Sequence, residues 1–487
     1  MKRLTICFLS ALALFACSGK QEHSIELQSE ADLSGLRVAC SAGSCYDMEL
    51  SARSDVFVSR FNTDADVLQA LLNEKVDVAV TDEVVYNSRV QKENGIKIAL
   101  VGNQSFPTGF MFGKKDAELA QTLTDIQHRM IEDGSMQRLK DFWLTNQFAQ
   151  VDHYTHIPDE GTGAPLRVAT ITMTAPLSFP IEGEWYGLEI DILRQLAREL
   201  NRPLDIKFFD SASGLLSIKS GLCDVLCGCI FITPERELEY VFSEPYHDYH
   251  PGYFVIDREA AGLNKGLGLI DGIRKNLITE NRWKYITLGL WETLKISFLA
   301  ILLGSVLGIV LYIMTISRRK RIRSFAKLYN SFLAGIPELV LLLIMFYVVF
   351  AKTGLPSDLV ATITFALFFA SGACDIYKTS LDAIPHGQTE AGLALGFTRS
   401  QTFYHIVLPQ AIRRGLPLYK GQCISLLKGT SIVGYIAIQD LTRAGDIIRS
   451  RTFDAVIPLL VVTLIYFLLV WLIGFLLQRL TPKTKVL

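Results

Sequence analysis

Cys223, Cys227 and Cys229 sit close enough together to raise a metal site. All three are odd-numbered, so on a strand they project to one face. A strand face gives poor tetrahedral geometry, and free cysteine packs as a small hydrophobe. Core packing is therefore expected, and no metal. His247 and His250 flank Asp248 and read as a surface loop. The sequence contains no Gly-x-x-x-x-Gly-Lys-Ser/Thr run, so it cannot cradle nucleotide phosphates in the P-loop manner. Leu427-Lys428-Gly429-Thr430 lacks the upstream glycines. No nucleophile, base or paired carboxylates form a catalytic constellation, so the chain is read as a non-enzyme that needs no cofactor. Nine cysteines in 487 residues do not make a disulfide scaffold. Cys45 and Cys229 are the pair expected near a cleft. A net charge of −1 argues against a nucleic-acid partner.

The elements that would position such residues fall into two chemistries. Half of the residues are hydrophobic, and the excess is concentrated in the last two fifths. Residues 1–17 read as an export signal: Lys2 and Arg3 precede the apolar stretch Leu4 to Phe15, too short to span a bilayer. Residues 18–32 read as a tether. Residues 33–146 alternate strand and helix: Leu36 to Cys40, Asp66 to Leu72, Val76 to Val80, then an amphipathic helix through Leu119, Leu123, Ile126 and Met130. Residues 147–165, rich in Gly, Pro, His and acids, read as a linker. Residues 166–257 form a second α/β unit, and 258–282 a connector. Lys75-Val76-Asp77-Val78 and Leu222-Cys223-Asp224-Val225 form a faint internal repeat. Two similar α/β lobes imply a cleft between them, where such folds hold ligands.

Residues 283–487 are read as an all-helical membrane domain of about five spans. Ile296 to Ile316 and Ala455 to Leu477 run 21 and 23 residues without a charge, enough to cross about 30 Å of hydrocarbon. Phe332 to Ala351, Leu355 to Ala373 and Ile424 to Ile438 complete the set. An outside start puts Arg318-Arg319-Lys320-Arg321 and the Arg479 to Lys485 tail in the cytoplasm, as the positive-inside rule requires.

Several motifs carry family resemblances. Leu14-Phe15-Ala16-Cys17 resembles a bacterial lipobox, which implies acylation of Cys17. Glu390-Ala391-Gly392-Leu393-Ala394-Leu395-Gly396, nine residues, then Ile406-Val407-Leu408-Pro409-Gln410-Ala411 resembles the EAA loop of ABC importer permeases. That resemblance implies two short helices, turned at Gly396, that dock on a cytoplasmic ABC ATPase through Glu390, Ala391, Leu408 and Pro409. Gly392 stands where alanine is usual. Gly335-Ile336-Pro337, Ser425 to Ser431 and Leu441 to Ala444 resemble the polar amino-acid branch of that family, although Gly429 replaces an acid often found there.

The exported half resembles periplasmic amino-acid-binding proteins. Gly187-Leu-Glu-Ile-Asp, Asp224-Val225, Ile232 to Arg236 and Phe242 to Tyr246 resemble their first lobe, in which the arginine forks onto the solute carboxylate. Arg236 takes that role by resemblance. Val38 to Ser44, Val78 to Asp82, Asp133-Gly134-Ser135 and Phe142-Trp143 resemble the second lobe. Gly43 and Ser44 then help hold the carboxylate and Asp82 pairs with the ammonium. Phe231 stands where Ser or Thr is frequent, and Trp185 is expected to line the cleft. The lobes come in reversed order, so the module is read as circularly permuted.

The fold expected is an α/β two-lobe, periplasmic-binding-protein-like module followed by the polytopic domain. The function expected is the membrane subunit of an ABC importer for a polar amino acid or similar solute. It would lie in the bacterial inner membrane as a homodimer, with the module outside. The alternative is a ligand-gated channel or solute sensor; a selectivity filter such as Thr-Val-Gly-Tyr-Gly is absent from the sequence.

Overall fold

The computed structural model describes residues 25–61, 63–83, 95–144, 161–172, 175–181, 183–257, 269–351, 353–452, 454 and 456–479. The export signal, Cys17, and most of the linker at 147–165 lie outside these.

The chain opens with β1 (Arg37–Ser41), α1 (Cys45–Ser51), β2 (Phe57–Phe61), α2 (Asp64–Leu72), β3 (Val78–Asp82) and β4 (Ile96–Val101). Ser44 and Thr63 cap the two helices, each side chain accepting the amide three residues on. Such caps satisfy amides that the helix itself cannot. Next come β5 (Phe106–Thr108), β6 (Met111–Gly113), α3 (Ala117–Glu132) and α4 (Ser135–Leu144). The second run comprises β7 (Leu166–Thr170), β8 (Phe179–Ile181), β9 (Glu184–Tyr186), α5 (Leu188–Glu199), β10 (Leu204–Phe208), α6 (Ser211–Lys219) and β11 (Val225–Cys227). It closes with α7 (Pro234–Glu237), β12 (Tyr240–Phe242), β13 (His247–Tyr249) and β14 (Pro251–Ile256).

Two five-stranded sheets result, in the orders β2-β1-β3-β14-β4 and β10-β7-β11-β6-β12. The lobes built on them are called A and B. In each, four strands run in one direction and one antiparallel strand is inserted from the other part of the chain. The lobes therefore do not divide at the linker, as a split into 33–146 and 166–257 would require. The crossings are β5 and β13, which pair with each other. Residues 111–144 thus build lobe B, and β14 returns to lobe A. Trp143 Nε1 fixes this by donating 2.8 Å to the buried Asp191 of α5.

The internal repeat has a physical meaning. Asp77 holds Arg37 on the neighbouring strand at 2.6 Å, and Asp224 accepts the amide of Arg167 at 3.0 Å and pairs with its guanidinium. Each carboxylate clamps the start of one strand to the next.

The membrane domain follows: α8 (Trp283–Thr315), α9 (Lys320–Gly335), α10 (Glu338–Ile344), α11 (Ser357–Asp382), α12 (His386–Ala394), α13 (Arg399–Thr402), α14 (Leu408–Gly429), α15 (Leu441–Thr452) and α16 (Val456–Arg479). Among the described residues three helices are long and apolar enough to span a membrane, or five if each of two bent pairs counts once. The span expected over Phe332 to Ala351 is broken. Its first residues end α9, and the chain bends by 108° before α10 at Ile336-Pro337, because proline lacks the amide that a continuing helix needs. The span expected at Ile424 to Ile438 is the end of α14 plus a tighter turn over Thr430–Ile436. Small residues let α8 and α11 approach: a Cβ on Gly304 would stand 2.8 Å from the Ala366 carbonyl oxygen.

Candidate functional site

A cavity of 380 Å³ lies between the lobes. Lobe A contributes helix starts and strand ends: Gly43, Ser44, Tyr46, Asp64 and Asp82 line it. Lobe B contributes Thr172, Cys229, Phe231 and Arg236. The expected residues Arg236, Asp82, Ser44, Gly43 and Phe231 are therefore brought together. Trp185 is not. It packs beside Phe208, Tyr285 and Leu441, where the module meets the membrane domain, because β9 is turned outward from the cleft.

Arg236 stands just inside α7, whose cap Thr233 accepts its amide. Its Nη1 donates to the Phe231 carbonyl at 2.9 Å and its Nη2 to the Gly43 carbonyl at 3.2 Å. Both acceptors are neutral, and the second ties lobe B to lobe A. Among the described residues no carboxylate lies within ion-pair distance of it, so donors remain for an anionic guest. Gly43 has φ +72°, a conformation that side chains rarely adopt.

Across the cavity stand two carboxylates. Asp82, 4% exposed, accepts from the Tyr46 hydroxyl. Burial, with Asp64 nearby, lifts its carboxyl to about 7. Asp64 accepts from Ser41 Oγ at 2.5 Å and is likewise raised by burial. A carboxylate pair largely removed from water, with no ion-paired cation among the described residues, disfavours ionisation and suits a cationic guest. Tyr46, Phe106 and Phe231 meet edge to face with centroids 5.5–5.6 Å apart, giving an apolar wall that includes the crossing strand β5. Asp64 and Tyr46 escaped sequence reasoning. The polar run Thr63-Asp64-Ala65-Asp66 after a strand is a capping signal that would have found Asp64.

The acids of Gly187-Leu-Glu-Ile-Asp point inward. Glu189 Oε1 accepts the amides of Gly228 and Cys229 at 3.0 and 2.8 Å and the Tyr246 hydroxyl at 2.5 Å, which holds the loop that presents Cys229 to the cavity. Asp191 anchors Trp143 and Arg194. All seven cysteines among the described residues are free thiols. Among those residues no cluster of three or more His, Cys, Asp or Glu could hold a metal.

In the membrane domain α12 and α13 flank Gly396, whose φ is +87°. Glu390 and Ala391 are exposed on α12, and Leu395 is 77% exposed. Leu408 is half-buried and Pro409 exposed where α14 begins. Gly392 has a reason to lack a side chain: a Cβ there would stand 2.6 Å from Thr402 Cγ2 and 2.8 Å from its Oγ1. Gly392→Ala is expected to cost about 1–2 kcal/mol by overpacking. Adding Thr402→Ala should recover about half of that loss, as contacting sites couple. Thermal unfolding of the intact singles and the double checks this; simple additivity would count against the contact.

The module rests on the membrane domain. Asp66 pairs with Arg449 of α15 at 2.7 Å, and Tyr285 Oη donates to the Pro180 carbonyl at 3.2 Å.

The binding-protein-dependent transport system inner membrane component family matches residues 300–486. The bacterial extracellular solute-binding proteins, family 3, match residues 166–391. The L-cystine transport system permease protein TcyB of Bacillus subtilis (strain 168) is 30% identical over 204 residues, 42% of this chain and 86% of its own. A probable amino-acid ABC transporter permease protein, YckA, of the same organism is 34% identical over 184 residues, 37% of this chain and 81% of its own. A putative glutamine transport system permease protein GlnP of Rickettsia typhi (strain ATCC VR-144 / Wilmington) is 31% identical over 206 residues, 42% and 94%. A solved amino acid ABC transporter with histidines covers 45% of this chain and 100% of its own, at 28% identity and a TM-score of 0.40. With its apolar helices, its EAA-like loop and a two-lobe module ahead of them, this chain belongs to the binding-protein-dependent inner membrane components and is the membrane subunit of an ABC importer with a fused family 3 solute-binding module.

Proposed function

We propose that this subunit takes up a polar amino acid or similar zwitterion. The observation that carries the reading is a guanidinium with spare donors facing two carboxylates, the buried Asp82 and the half-buried Asp64, across one cleft. Arg236 takes the carboxylate, aided by Gly43 and Ser44, and Asp82 with Asp64 takes the ammonium. Phe231 and Tyr46 shape the apolar wall. The module is a circular permutation of a two-lobe binding protein; the mutual exchange of β6 and β14 supports this. Glu390, Ala391, Gly396, Leu408 and Pro409 form the dock for a separate cytoplasmic ATPase. Two copies of the chain form the path, in the inner membrane, with the module outside and Cys17 lipidated. Solute closes the lobes, and ATP binding by the partner opens the path.

Two measurements test it. Thermal-shift screening of the intact chain against the common amino acids should find one class that raises the melting temperature; no response to any would sink the reading. The second is pH dependence. Asp82 lies near 7 when folded and about 3.9 unfolded, so its contribution to apo stability is present below about 4 and lost as pH rises through 7. An ammonium guest needs the ionised form. Affinity should therefore fall about tenfold per pH unit below 7 and level off above it, and Asp82→Asn should flatten the slope. Calorimetry from pH 5 to 8 checks this, and pH-independent affinity in the parent would place the ammonium elsewhere.

A further inference from the structure

The cleft does not stop at the module. Ser450 of α15 lines it together with Thr63 and Phe208, and the same three residues line a second chamber of 280 Å³ between the module and the membrane domain. Four acids face that chamber: Asp66 and Asp210 from the module, Asp440 and Asp446 from the membrane domain. Two arginines join them. Arg449 is paired, at 2.7 Å with Asp66 and 3.1 Å with Asp446.

Arg443 is not. Its guanidinium lies 4.0 Å from the centre of the Phe208 ring, and its Nη2 is buried without a hydrogen-bond partner. Among the described residues no carboxylate is within ion-pair distance. The acids nearby are engaged otherwise. Asp210 accepts the amide and hydroxyl of Ser213 at 3.0 and 2.7 Å. Asp440 accepts the amides of Thr442 and Arg443 at 3.1 and 3.0 Å. A guanidinium nitrogen held out of water with no acceptor is costly unless an acceptor visits it. Phe208 is the wall common to both chambers, so its ring carries Arg443 to the mouth of the cleft.

We propose that Arg443 is a second station for the solute carboxylate, receiving it over Phe208 once Arg236 lets go and before the solute enters the membrane path. This rests on the uptake reading above. The ligand class is an amino acid, whose ammonium would face Asp440 and Asp446 while its carboxylate meets Arg443.

The test uses the intact chain in nanodiscs with labelled L-glutamine and L-cystine, and reconstituted ATP-driven uptake. Arg443→Gln should leave cleft affinity within about twofold of the parent and cut uptake at least tenfold, with partial recovery in Arg443→Lys. In Arg236→Ala a weaker saturable site should remain, and it should vanish in the double variant. A cysteine pair, Asp66→Cys with Arg449→Cys, reports docking and should crosslink equally with Arg443 or glutamine at 443. Unchanged uptake overturns the station, as does a loss of uptake that tracks a loss of crosslinking, since Arg443 then only holds the dock. A parent chain whose melting temperature none of the common amino acids raises overturns the uptake reading itself.

Discussion

Arg236→Ala removes the solute-dependent rise in melting temperature and weakens binding on the order of a hundredfold. The argument is one of donors and dielectric. The side chain is half-buried, satisfied only by the carbonyls of Phe231 and Gly43, and it is the cation of the cleft. Removing one partner of a desolvated charge-assisted pair costs about 2–5 kcal/mol, and each 1.4 kcal/mol is a factor of ten in Kd. Arg236→Lys keeps the charge but loses the fork, because an ammonium cannot serve two carbonyls and a planar carboxylate at once. It should recover only part of the affinity. Calorimetry on the intact variants decides the matter, and parent-like binding by Arg236→Ala would refute the zwitterion reading. The fold should survive, since the apolar contacts of lobe B do not run through this residue.

Gly187→Ala has the largest expected effect on stability. Gly187 has φ +125°, and a Cβ there would stand 2.0 Å from the carbonyl oxygen of Leu177 and 2.5 Å from its carbon. That obstacle is backbone and cannot swing aside. Strain of this kind costs about 1–3 kcal/mol, and forced overpacking adds about 1–3 more. The sum is a large share of a domain's total stability. The helix that starts here carries Glu189, so the Gly228-Cys229 loop should shift as well. The melting temperature of the module transition should fall on the order of 10 °C, with weaker solute binding in whatever remains folded. A variant that melts within a degree or two of the parent would show that the β8–β9 turn gives way more easily than this contact implies.

How legible these features were depends on how local their causes are. The long apolar runs of α8 and α16 announce themselves because a bilayer demands length and composition together. Arg236 could be placed because the run Ile232 to Arg236 resembles a motif of the binding-protein family, and Thr233 caps the helix on which it stands. The crossing strands could not be found. β5 and β13 are three residues each, too short for any periodicity, and their pairing joins positions such as Thr108 and His247 that are 139 residues apart. The exchange of β6 and β14 was hidden for the same reason. Trp185 was misplaced because an amphipathic aromatic looks alike in a cleft and in a dock. Only the positions of Tyr285 and Leu441 distinguish the two. The broken second span was written in Pro337, but the size of the bend was not.

One consequence follows from where the strands leave lobe A. The chain enters that sheet at β1 and quits it at β14, so both covalent attachments of the module to the rest of the molecule belong to a single leaf. Lobe B is an insertion, suspended by a strap of two antiparallel strands. When the cleft opens, neither covalent attachment must lengthen, and lobe B moves only by parting Pro180, Trp185 and Phe208 from the membrane domain on which they rest. The travel of the cleft is therefore set by three-residue straps and by the hold of each lobe on the membrane domain, while the connectors before β1 and after β14 reach one leaf alone.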